Sequence, residues 1–369
     1  MTDMHKEEPM VVHGAIDYGE LAQLGLHPSE ILDFSVNSNP YGTSSTVHEA
    51  IAQVALDRYP DRACLQLRRA ILEYELSGVD LSMSSLLCGN GSSELLWAAA
   101  RAFLAPDKKA MIVAPTFGEY RAASLATGAT ISEFRRAETQ RFQPDLIELQ
   151  ARIVREKPDV VWLCNPNNPT GVWMEQEQLA QVLQACSNVG TLLIVDESYW
   201  RFVTPPVSYT AVTLLQGGIN EHLLVLRSLT KDFALAGVRL GYVVGSSGRI
   251  GLVQRQLPSW NVSGFAQAAG VAVLADRAHL ATTLAALTVE REAFFAALRE
   301  ADLHVLPSRT HFCLINVDDA QHVRQELLKR RLLVRDCTSF GLPRFIRVAT
   351  RPAHEWRQLV QALQEVVQA

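Results

Sequence analysis

Of the six lysines in the chain, five sit among polar or charged neighbours. Lys231 instead follows an apolar run, Leu223–Ser228 (LLVLRS), and precedes Asp232-Phe233-Ala234-Leu235. A lone lysine at a strand end ordinarily points into water. The other reading is an amine held in a cleft, where desolvation and a nearby cation lower its proton affinity and let it form a Schiff base with a carbonyl. The neighbours favour the cleft. Ser228 lies three residues before Lys231 and Arg239 eight after, and a hydroxyl with a guanidinium can hold a phosphate by charge-assisted hydrogen bonds. Asp196 closes the apolar run Thr191–Asp196. Gly91-Ser92-Ser93 precedes the apolar helix pattern ELLWAAARAFLA, which is either a plain serine cap or a helix mouth that binds an anion. Asn165–Gly171 is dense in turn residues, but Trp162 and Leu163 lead straight into it, and amides are costly to bury without partners. Arg347 alternates with Phe345 and Ala349. A surface arginine is the default there, and a forked clamp on a carboxylate is the functional reading.

These residues need elements to carry them. Ala110–Pro115, Val160–Cys164, Thr191–Asp196, Leu223–Ser228 and Gly241–Gly245 are short apolar runs bounded by turn residues. They read as buried strands of a largely parallel sheet. Helix patterns over Ser92–Leu104, Phe117–Thr127 and Glu175–Asn188 lie between them, which predicts an α/β layer architecture. The polar clusters then fall at the carboxyl ends of the strands, where open parallel sheets bind ligands. From about residue 251 one long helical pattern runs through Ala266–Leu303. Strands near Phe312–Val317, Leu332–Arg335 and Phe345–Ala349 follow, with helices at Ala320–Arg330 and His354–Val367. The predicted domains are a 42–250 large domain, a 251–369 small α+β domain, and a 1–41 segment packing with the small one.

Composition narrows the function classes. Hydrophobic residues make up 48% and charged residues 20%, which excludes a disordered chain. The net charge of −5 gives no basic field for nucleic acid or an anionic membrane. No apolar stretch is long enough to span a membrane, and MTDMHKEEPM lacks the apolar core of a secretory signal. Cys64, Cys88, Cys164, Cys186, Cys313 and Cys337 are scattered with no C-x-x-C pair, so free thiols in the cytoplasm are expected. No metal site is expected.

In the motifs around these residues the chain resembles the class I/II aminotransferases, the fold type I family of pyridoxal-phosphate enzymes. The motifs are Asn39-Pro40-Tyr41-Gly42, Arg58-Tyr59-Pro60-Asp61, Gly89-Asn90-Gly91-Ser92-Ser93-Glu94, Ala114-Pro115-Thr116-Phe117, Asn165–Gly171, Asp196-Glu197-Ser198-Tyr199, Ser228-Leu229-Thr230-Lys231 and Arg347. Within the family it is most similar to the branch of histidinol-phosphate aminotransferase and threonine-phosphate decarboxylase. The resemblance implies a large domain with a seven-stranded sheet, a smaller α+β domain and pyridoxal 5'-phosphate as cofactor. It implies that Lys231 carries the cofactor and is the catalytic base, with Asp196 on the ring nitrogen. Gly91, Ser92, Ser93, Ser228 and Arg239 would take the phosphate. Phe117 would stack on the ring, without the hydroxyl of the tyrosine often found there. Asn168 and Tyr199 would donate to the phenolic oxygen, and Tyr59 would reach the partner subunit's phosphate in a homodimer. Asn39, Asn168 and Arg347 would meet the substrate, with Arg309, Arg335 and Arg351 as further candidates for a second anionic group.

The expected reaction is transfer of an amino group between a phosphate-bearing amino substrate and a 2-oxo acid, part of a biosynthetic process, with small molecules as the other partners. Decarboxylation of L-threonine-O-3-phosphate is the alternative. His13-Gly14, Asp33–Asn37 and Arg335-Asp336-Cys337 lean to the decarboxylase, while Ala15-Ile16 replaces the Gly-Asn of its pattern. A nucleotide hydrolase would need G-x-x-x-x-G-K-[ST], and no lysine here follows a glycine. A regulatory cofactor-binding module would need a DNA-binding appendage, and the cofactor motifs begin by residue 39.

Overall fold

The computed structural model describes residues 13–207, 209–215 and 220–367. The acidic amino-terminal stretch read above lies outside the described residues. A two-residue strand, β1 (Leu32–Asp33), comes first. The main sheet follows: β2 (Leu86–Gly89), β3 (Lys109–Ala114), β4 (Thr130–Arg135), β5 (Val160–Cys164), β6 (Leu192–Asp196), β7 (Leu223–Ser228) and β8 (Gly241–Gly245). Their order is β2-β8-β7-β6-β5-β3-β4. Pairing is parallel from β4 to β7, and β8 runs antiparallel to both its neighbours.

The pleat explains why these runs are apolar throughout. Alternate residues of a strand face opposite sides, and here they join two different cores. Val161, Leu163, Leu193 and Val195 pack on one face; Val160, Trp162, Leu192 and Ile194 pack on the other. Strands covered on both faces read as unbroken hydrophobic segments. The two strands of this sheet not expected from the sequence are its edges. β4 is half-exposed and carries Glu133 and Arg135, and β2 is four residues long.

The predicted helix through Ala266–Leu303 is two helices. Gly264–Ala275 and Arg277–Glu300 meet at Asp276, which ends one and caps the other by accepting from His279 N at 3.1 Å. Its second carboxylate oxygen accepts from Ser44 Oγ at 2.6 Å. Asp276 and Arg277 break the pattern, but a charged pair is also common on the exposed face of one continuous helix, so periodicity alone conceals the boundary. The first helix buries Ala266, Ala269 and Val273 in the large-sheet core. The second leads to a four-stranded antiparallel sheet, β9 (His304–Val305), β10 (Phe312–Asn316), β12 (Arg335–Asp336) and β13 (Phe345–Ala349), in the order β12-β13-β10-β9. The predicted strand Leu332–Arg335 is divided: β11 (Leu332–Leu333) pairs instead with β1, and Val334, between β11 and β12, is buried in the same core as Leu332. That pairing, Phe34 in the same core and the Arg324–Glu20 ion pair at 2.5 Å fasten the amino-terminal residues to this sheet. Among the described residues no helix is long and apolar enough to cross a membrane.

Candidate active site

The polar residues predicted at the strand ends converge there. Asp196 is the last residue of β6 and Ser228 the last of β7, and Lys231 stands three residues further on. Ser228 pairs in register with Gly241 of β8. A side chain at Gly241 would lie 2.5 Å from Ser92 N, so the missing Cβ lets the mouth of helix Gly91–Phe103 press against the sheet edge. Gly91 has φ +81°, and a Cβ there would meet Arg239 Nη2 at 2.7 Å. The helix mouth with Ser92 and Ser93, the end of β7 at Ser228 and the Arg239 guanidinium are thus brought together, a donor set suited to a phosphate.

Lys231 is half-buried, with Nζ 6.0 Å from the centre of the Tyr199 ring. Burial, then the Arg347 and Arg239 guanidiniums, push its amine down to about 8, while Asp196 opposes them. Burial raises the Asp196 carboxyl, and hydrogen bonds from Ser198 and Tyr120 pull it back. Ser198 N donates to Oδ1 at 2.9 Å and the Tyr120 hydroxyl donates to Oδ2 at 2.8 Å. Two buried hydrogen bonds hold this carboxylate in place, oriented as an acceptor for a protonated ring nitrogen must be.

Phe117, just past β3, lies 5.7 Å edge-on from Tyr120. His13 covers it at 5.5 Å and is held by Glu119 at 2.8 Å. Asn168 and Arg347 are bonded to each other through Asn168 Oδ1, which leaves the amide nitrogen as the end free to donate. Arg347 also donates to Ser35 O at 2.6 Å and stands over Phe312. Its Nε has no hydrogen-bond partner among the described residues. Arg335 faces it directly across the strand pair. Both are buried, 4% and 6% exposed. Burial and Arg347 together push Arg335 down to about 10.

Two predicted residues stand elsewhere. Asn39 does not face the cleft: its N–H donates to Lys231 O at 2.8 Å, and its amide donates to Asp232 O at 3.0 Å and Thr283 Oγ1 at 2.9 Å. It clamps the lysine loop. Tyr59 is 81% exposed and stacks on Trp260 at 4.8 Å. Of the further arginines, Arg309 pairs with Glu175 and Arg351 with Glu355.

Three further residues stand at the site: Tyr120 and His311, which no sequence motif marks, and Asn37, which ends the Asp33–Asn37 motif. Tyr120, fully buried and stacked on Trp162 at 5.4 Å, is the Asp196 partner. Asn37 is buried, with its side chain within reach of the Tyr199 hydroxyl. His311 is buried too, and burial, then Arg347 and Lys231, push it down to about 3, so the ring is neutral. Below the lysine loop, Arg227 makes a two-pronged pair with Glu197 at 2.9 and 3.1 Å, and Arg201 pairs with Asp232 at 3.1 Å. Breaking such a buried pair costs about 3–5 kcal/mol, so this floor is rigid.

The sequence profile of aminotransferases of class I and II matches residues 29–366. A histidinol-phosphate aminotransferase from Geobacillus thermodenitrificans is 34% identical over 324 residues, covering 87% of this chain and 86% of that protein. A threonine-phosphate decarboxylase from Salmonella typhimurium is 33% identical over 351 residues, 93% of each. The crystal structure of histidinol-phosphate aminotransferase from Sinorhizobium meliloti in complex with pyridoxal-5'-phosphate superposes with a TM-score of 0.83 at 24% identity, covering 94% of this chain and 93% of that one.

Proposed function

The chain belongs to the class I and II aminotransferases, pyridoxal-phosphate enzymes of fold type I, and from that premise we propose that it transfers an amino group from a substrate bearing a second anionic group, such as a phosphate, to a 2-oxo acid. The observation that carries the reading is the convergence of a half-buried amine, a carboxylate and two guanidiniums on one strand-end cleft.

When bound, pyridoxal phosphate supplies an aldehyde that takes up an amine and a protonated ring that accepts the electron pair left on a substrate α-carbon. The residues of this chain do the rest. Ser92, Ser93, Ser228, Arg239 and the Gly91 turn would hold its phosphate. Asp196 would keep a proton on its ring nitrogen, Phe117 would cover one face, and Asn168 and Tyr199 would bond its phenolic oxygen. Lys231, near neutrality in proton affinity, takes a proton from the substrate α-carbon and returns it one position away, a general acid–base role. Arg347 receives the substrate carboxylate, and Arg335 beside it is suited to the second anion. Asn37 is buried beside the Tyr199 hydroxyl, and Asn39 holds the lysine loop.

The same reading extends to the assembly and the cell. Tyr59 would reach the phosphate site of a second copy, making the active unit a homodimer. Six unpaired cysteines fit the cytoplasm, and the activity would serve biosynthesis. We place the division between large and small domains at Asp276 rather than 251, since helix Gly264–Ala275 packs in the large-sheet core, with residues 13–41 joining the small one.

Loss of the substrate carboxylate as carbon dioxide is the second reading. It is supported by the Salmonella relative and by His13 standing against Phe117. Histidinol phosphate with 2-oxoglutarate is expected to yield glutamate, and L-threonine phosphate no carbon dioxide. Carbon dioxide without glutamate would reverse the two. In either case Lys231→Ala should abolish the borohydride-trapped covalent link and lower turnover by at least about 10²–10⁴-fold.

A further inference from the structure

All six cysteines are buried free thiols, and two of them share a cavity. Cys64 and Cys88 line a pocket of about 110 Å3 together with Arg62, Arg68, Trp260 and Asn261. They arrive from different elements. Cys88 lies in β2, one residue before Gly89, and Cys64 is the residue from which helix Leu65–Tyr74 starts. Both sulfurs face this cavity, and the Cys64 thiol donates to Asp61 O at 3.8 Å.

The environments of the two sulfurs differ in a useful way. The neighbouring Cys88 lowers the Cys64 thiol, Arg68 helps, and burial with Asp61 opposes. The helix start adds its positive end, a setting typical of reactive thiols. Cys88 is raised, by Cys64 first and then by burial. Cys164, Cys186, Cys313 and Cys337 are each pushed up to about 12 by burial, and none of them lines this pocket. One pair out of six thiols therefore combines an attacking sulfur with a neighbour that can resolve it.

We propose that Cys64 and Cys88 form a peroxide-reactive pair that closes to an intramolecular disulfide. The Cys64 thiolate attacks one oxygen of a hydroperoxide; the S–O bond forms, the O–O bond breaks and hydroxide or alkoxide leaves with a proton from solvent. Cys88 sulfur then attacks the Cys64 sulfenic acid; the S–S bond forms, the S–O bond breaks and water leaves, taking the Cys88 proton. Two thiols lose two electrons and one peroxide gains them. The bond would tie the loop that carries Tyr59 to the loop that carries Gly91. That consequence rests on the functional reading above; the chemistry of the pair does not.

The test uses the pyridoxal-phosphate-loaded protein, exposed to hydrogen peroxide and then alkylated in denaturant. The thiol count is expected to fall from six to four. A non-reducing tryptic digest should yield Ala63–Arg68 joined to Ala70–Arg101, separated again by dithiothreitol. Cys88→Ser should leave Cys64 as a sulfenic acid captured by dimedone. Six alkylatable thiols after exposure would overturn the proposal, as would a cross-link through any other cysteine or between chains. Failure of Cys88→Ser to capture dimedone would overturn the assigned order of attack.

Discussion

Lys231 shows how position sets the chemistry of a common residue. Its amine sits near 8 because burial and two guanidiniums disfavour the charged form. The neutral fraction therefore grows as pH rises through about 8, and loading of cofactor-free protein should accelerate with a midpoint there rather than at the ordinary 10.5. Borohydride trapping and mass spectrometry across pH measure this; a midpoint near 10 would mean an amine in open water. Tyr120 acts on the carboxylate opposite. Tyr120→Phe keeps the stack on Trp162 and removes the hydroxyl from Asp196. A lost hydrogen bond to a buried charged group costs about 1.5–3 kcal/mol, so the cofactor should bind at least about tenfold more weakly. Spectral titration with pyridoxal phosphate checks it, with unchanged far-UV circular dichroism as the control. Lys231 and Asp196 were legible because each ends or follows an apolar strand. Tyr120 was not, because its partner lies 76 residues away and no local pattern marks it. The motif around Asn39 marks the place, and its carboxamide nitrogen is bonded to the lysine loop and to Thr283.

The strands were legible wherever burial on both faces left an unbroken apolar run, and β5, β7 and β8 match the predicted bounds. They were illegible at the sheet edges, where one side meets water and charged residues enter. Helices were legible in type but not in number, since a single Asp-Arg pair at 276–277 reads equally well as part of one helix's exposed face. The Asp276 carboxylate caps Arg277–Glu300 and binds Ser44. Asp276→Ala removes a helix cap, worth about 0.5–2 kcal/mol. The urea midpoint should drop with the slope unchanged. A midpoint equal to wild type would show that the break is set by packing alone.

Across the molecule, exposed apolar residues gather where the fold leaves a face open. Leu56 and Tyr59 are each 81% exposed, Trp260 45% and Phe265 42%. Single exposed hydrophobics are ordinary, but a large aromatic group in contact with solvent marks an interaction face. If a second copy covers it, Trp260→Glu should shift sedimentation from dimer to monomer and lower activity along with it. A monomeric wild type at assay concentration would instead remove the shared-site reading of Tyr59. The chain also couples its two halves in a way no single element reveals. β1 is zipped to β11 beside the carboxy-terminal sheet, and six residues later Asn39 is clipped to the carbonyl of Lys231. Six residues span at most about 20 Å, with Ser35 tied on the way to Arg347. There is little slack in that cord, so a swing of the carboxy-terminal sheet tugs the amine's own backbone, gearing entry of the substrate carboxylate to the seat of the reacting nitrogen.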